Sequence, residues 1–100
     1  MDLYYFKEHL HDELTDACEY ARRGLEIKPM SSDWGKALMR ISAEELGHAG
    51  ELYKMYNEYI GKLNETYQEK PKYMIEIEED ISKFYPDMVV KVKMMHEIYK

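Results

Sequence analysis

Glu13, Glu45 and His48 occupy positions where the surrounding spacing calls for apolar residues. Glu45 and His48 are three apart, so on a helix they are neighbours on one face. A buried carboxylate without a partner is expensive, so it must be paired, protonated or bound to a cation. Three such groups at one level would share that cost most readily by ligating a metal. A carboxylate beside an imidazole suits iron, manganese or zinc. The competing reading is a hydrogen-bonded polar cluster that fixes helix register. The string Glu-x-x-His carries little weight alone, because Glu8 and His11 also make it. At about 100° per residue, those two point about 160° and 100° away from Leu10, toward solvent.

The elements that must position these side chains are helices. Gly24, Pro29 and the pair Ser31-Ser32 make a first break, with Gly24 reading as a helix C-terminus and Ser31 or Ser32 as an N-cap. Lys70-Pro71-Lys72 makes a second, because Pro resists a helix interior. Three helices follow, over about 2–23, 32–69 and 72–99. In the first, Leu3, Phe6, Leu10, Ala17 and Tyr20 step by threes and fours, with a gap at Glu13. In the second, Leu38, Ile41, Leu52, Met55 and Tyr59 do the same, with gaps at Glu45 and His48. The third has no gap: Met74, Ile77, Ile81, Phe84, Met88, Val92, Met95 and Tyr99. This is the stripe of helices packed in a bundle. Gly61 is a place for the long second helix to bend. Pro86 predicts a kink or restart in the third, with Asp87 as a cap for the restarted helix.

At 100 residues the chain is the size of one all-α domain, and its single core would be modest. A net charge of −6 without a basic stripe excludes nucleic acid as the expected partner. Cys18 is alone, so no intramolecular disulfide or Cys-rich metal site is available. No apolar run approaches the roughly 18–20 residues that cross a bilayer. No basic segment followed by an apolar one opens the chain, so the cytoplasm is the expected location. His9 reads as a satisfied histidine at the edge of the core. The ten Tyr and eight Met read as amphipathic and gap-filling packing residues.

The first helix contains Glu13-Leu14-Thr15-Asp16-Ala17-Cys18-Glu19-Tyr20, and the second Ile41-Ser42-Ala43-Glu44-Glu45-Leu46-Gly47-His48-Ala49. Over roughly residues 3–60 these resemble the ligand helices of the rubrerythrin branch of the ferritin-like superfamily. In that family two helices each give one Glu and two others each give Glu-x-x-His. The resemblance implies that Glu13 and His48 are terminal ligands, that Glu45 bridges and that Tyr20 stands just behind the site. It further implies a pair of irons reacting with oxygen or peroxide. Glu51, about 60° from His48 around the helix, would be an accessory carboxylate, although a solvated face explains it and Glu44 more simply.

This chain departs from the full-length pattern in one respect that matters. Its third helix holds neither a core Glu nor a Glu-x-x-His, since Lys93 stands three residues before His96, and Glu76, Glu78, Glu79 and Asp80 replace no apolar residue of the stripe. The Cys pairs of a rubredoxin domain are absent as well. One chain supplies half the ligands, and two copies about a two-fold axis would supply them all, as in half-length members such as the encapsulated ferritins. The expectation is therefore a ferritin-like helical hairpin with a third, C-terminal helix, completing a four-helix bundle in a homodimer or higher homo-oligomer. Two irons per dimer, or manganese or zinc in their place, would serve a ferroxidase-type oxidoreductase. The alternative is a helical assembly or interaction module without catalysis.

Overall fold

The structure, a computed structural model, describes residues 2–100. They form three helices: α1, Leu3–Ile27; α2, Ser32–Thr66; and α3, Lys72–Tyr99. Asp2 and Ser31 open the first two, each accepting from the amide three residues on, at 3.0 Å from Tyr5 N and 3.2 Å from Trp34 N. α1 and α2 run antiparallel, which is shown by the pairing of Glu13 with His48, Ala17 with Ser42 and Gly24 with Gly35. α3 runs parallel to α1, with Lys7 salt-bridged to Asp80 at one end and Lys28 bonded to the Tyr99 carbonyl at the other. α1 therefore packs against both other helices, while α2 and α3 meet at few points. The result is a rod of 56 × 17 × 17 Å.

α1 is longer than the sequence suggests. Gly24 does not end it but lies buried inside it, facing Gly35 of α2. A Cβ on Gly24 would stand 3.3 Å from the Gly35 carbonyl oxygen, and one on Gly35 3.3 Å from the Gly24 carbonyl oxygen. These two glycines let the helix backbones close together beside the turn. α2 ends at Thr66, three residues before the expected end. α3 runs unbroken through Pro86, so there is no restarted helix for Asp87 to cap. Lys70, in the α2–α3 connection, reaches Glu78 at 2.7 Å.

The helical period was legible, but its phase was not. The buried line of α2 is Gly35, Ser42, Ala49, Tyr56 and Leu63, seven residues apart, with Met39 beside it. Leu38, Ile41, Glu45, His48, Leu52, Met55 and Tyr59, read from the sequence as the core stripe, run alongside, turned from that line by about 60–100°. They are half-buried, or exposed in the case of His48 and Met55. The physical reason is steric. Small residues at 35, 42 and 49 admit α1 closely, and the larger apolar residues are pushed to the flank. On α1 the line runs Leu3, Phe6, Leu10, Leu14, Ala17, Ala21 and Gly24, leaving Glu13 and Tyr20 half-buried at its edge.

Candidate metal centre

Helical geometry places Glu13, Glu45 and His48 on one flank of the α1–α2 pair. α3 lies on the other flank, where Lys7 meets Asp80, His11 packs on Phe84, and Tyr53 stacks on Tyr85 with ring centroids 3.8 Å apart. The three ligand-type residues do converge. One ligand atom from each lies within 4.8 Å of the others, and no other such group of His, Cys, Asp or Glu occurs among the described residues. His48 Nδ1 stands 3.6 Å from Glu13 Oε2 and 4.0 Å from Glu45 Oε1. Both distances exceed a hydrogen bond.

The cluster sits at the margin of the core rather than in it. The side chains of Glu13 and Glu45 retain 26% and 23% exposure, and that of His48 retains 62%. The spacing of apolar residues in the sequence aims all three at the core. The shift of α2 by one helical step accounts for the difference.

The electrostatics are those of a site short of positive charge. Glu13 Oε2 is buried and has no hydrogen-bond partner, the one such side-chain atom among the described residues. The carboxyl group of Glu13 beside it, and then burial, raise the Glu45 carboxyl above the ordinary carboxylate range, and His48 opposes this. A cation between the two carboxylates would satisfy both and the orphaned oxygen together. The donor set, two carboxylates and one imidazole, fits iron, manganese or zinc, and it fits two metals only if a second set is added.

The remaining sequence candidates fall outside the cluster. Tyr20 is half-buried on the same flank of α1, two turns beyond Glu13. Glu51 is exposed and does not join the clustered group. Glu8 and His11 are exposed, and His11 faces Thr15 and Phe84 on the α3 side. His9 is exposed and lies against Tyr5, with ring centroids 4.2 Å apart. Cys18 is half-buried, and burial raises its thiol above the ordinary range.

One polar group of the core escaped the sequence reading. Ser42 is wholly buried and donates to the Ala17 carbonyl at 2.7 Å, while His96 Nε2 lies 2.9 Å from the same hydroxyl. His96 falls on the inward face of α3, between Met95 and Tyr99. That placement, not a motif, was the available signal. Against protein-family models, curated proteins and solved structures, the chain has no match. No helix is long and apolar enough to cross a membrane among the described residues.

Proposed function

We propose that this chain is a ferritin-like half-bundle whose Glu13, Glu45 and His48 supply half of a two-metal carboxylate site, completed by a second copy. The observation that carries this is the orphaned, buried Glu13 Oε2 beside Glu45 and His48, on the flank that α3 leaves uncovered. That flank also holds the half-buried Tyr20, Ile27, Leu38 and Ile41 and the exposed Trp34 and Met55. A second α1–α2 pair laid over it about a two-fold axis would bury this apolar border. It would bring a second Glu, Glu and His to the first, which makes the four-helix bundle with two metals per dimer.

In this assembly Glu13 and His48, from opposite helices, would hold a metal, and Glu45 would add a second carboxylate. The apolar border excludes water around them, which strengthens each metal–carboxylate contact. Iron bound there supplies one-electron redox chemistry, with Fe(II) as the reductant and oxygen or peroxide as the oxidant. Tyr20, on the same flank, is placed to line the completed site. The reading is thus a ferroxidase or rubrerythrin-type oxidoreductase working in the cytoplasm, with manganese or zinc as alternative occupants.

The runner-up is a helical assembly module that keeps the same dimer and has no turnover; the modest one-chain core and the half-exposed apolar flank favour it equally. Oxygen uptake on adding Fe(II) to the metal-free protein separates the two. The proposal expects uptake that is lost in Glu13→Ala, Glu45→Ala and His48→Ala. Iron binding without uptake in the unaltered chain would leave a structural metal and the assembly module.

A further inference from the structure

His96 belongs to no ligand motif, yet its hydrogen bonding is specific. A carbonyl can only accept, so the single hydroxyl proton of Ser42 is committed to Ala17 O. Ser42 Oγ must then accept from His96, which fixes the ring as the Nε2–H tautomer. One wholly buried hydroxyl therefore ties all three helices together. Burial, and then the charge of Lys100, lower the His96 pKa, consistent with a neutral ring.

The location of this bridge gives it a consequence. Ala17 lies one turn beyond Glu13 on α1, and Ser42 lies one turn before Glu45 on α2. The bridge thus clasps the two ligand-bearing helices beside their carboxylates. Around it the buried residues are mostly small, with Ala17, Ala21 and Gly24 on α1 and Gly35, Ser42 and Ala49 on α2, so hydrogen bonding supplies a direction that their packing does not. Apolar contact is non-directional, whereas a hydrogen bond is confined to a few tenths of an ångström. Ligand distances in a metal site are held within about 0.2 Å. Other α2–α3 contacts are made near the helix ends, as by Tyr99 with Ser32 and Gly35, or farther down the rod, as by Tyr85 with Tyr53.

We infer that His96 is a positioning residue. Through Ser42 and the Ala17 carbonyl it holds α1 and α2 in the register that brings Glu13 and Glu45 together, so that α3 sets the metal affinity of a site to which it gives no ligand. This deepens the metal-site reading above and rests on it.

The test uses the full chain and Co(II), whose visible absorption reports ligand geometry as well as binding. Metal-free thermal melts and circular dichroism of each variant establish folding separately. His96→Leu keeps the buried volume apolar and removes the donor. It is expected to weaken Co(II) binding about tenfold and to alter the visible band while the chain stays folded. His96→Gln restores an N–H of similar reach and is expected to recover most of both. Ser42→Ala should match His96→Leu, and the double variant should be no worse than either, because both remove the same bridge. Binding and spectrum unchanged in His96→Leu, or no advantage of Gln over Leu, would overturn the inference. If Co(II) binding is lost in Glu45→Ala but untouched in His96→Leu, only the inference falls. If the unaltered chain binds no better than Glu45→Ala, the metal site falls and the inference falls with it.

Discussion

At the scale of single residues, the triad is a liability until something binds it. Glu13 Oε2 is buried without a partner, and its neighbour Glu45 is raised above the ordinary carboxylate range. A carboxyl whose folded pKa is raised stabilises the fold fully below its unfolded value, near 4.5, and loses that contribution as the pH rises through the folded value. The metal-free chain is therefore expected to lose stability from this pair as the pH climbs from 4.5 toward neutrality. Glu45→Gln removes one charge and keeps the shape. Thermal melts at pH 7 should show the metal-free variant more stable by on the order of 1 kcal/mol, or roughly 4–8 °C, with the difference vanishing near pH 4.5. A variant less stable at pH 7 would mean that Glu45 makes a net favourable polar contact, as a structural cluster would. The identities of the three residues were legible because each interrupts an apolar series. Their depth was not, because hydropathy assigns Leu38, Ile41 and Leu52 to the inside and gives no credit to Gly35, Ser42 and Ala49. The Ser42–His96 bridge was invisible for a different reason: it joins side chains 54 residues apart, and its far end is a main-chain acceptor, the Ala17 carbonyl.

At the scale of the helices, the glycines divide into two kinds. Gly35 faces Tyr99 and Gly24, and an added Cβ would stand 2.7 Å from Tyr99 Oη and 3.3 Å from the Gly24 carbonyl oxygen. Gly47 and Gly61 face open space. Gly47→Ala and Gly61→Ala should each stabilise the chain by about 0.5–1 kcal/mol through helix propensity. Gly35→Ala should gain nothing or destabilise, because Tyr99 must move and the Gly24 backbone cannot readily do so. Chemical denaturation of the three variants reads the difference, and equal stabilisation at all three sites would refute the close approach of α1 and α2. The three helices themselves were legible from Pro71, Ser31 and the stepping of apolar residues, to within four residues at each end. Gly24 misled because a glycine marks a helix end and a close helix contact equally well. Pro86 does not restart the helix, because α3 carries apolar packing on both sides of it, through Ile81 and Val92, which keeps it continuous despite the lost hydrogen bond.

At the scale of the whole molecule, the chain has a covered flank and an open one. α3 covers the first. The second bears the triad inside a border of half-buried apolar side chains, and we attribute that asymmetry to a second copy. Met55→Glu would place a charge in the proposed two-fold interface, at an exposed position two turns from His48. Light scattering after gel filtration should show the substituted protein shifted from dimer to monomer while circular dichroism stays helical. An unchanged dimer would move the interface to another face.

The claim that joins these scales is a two-metal site shared by two chains. Native mass spectrometry, after anaerobic Fe(II) loading and desalting, tests it most directly because it reads stoichiometry and assembly in one species. The expected species is a dimer carrying two irons that becomes iron-free in Glu45→Ala. Iron-free chains, with zinc and manganese also refused, would contradict it and leave Glu13, Glu45 and His48 as a polar cluster on a helical assembly module.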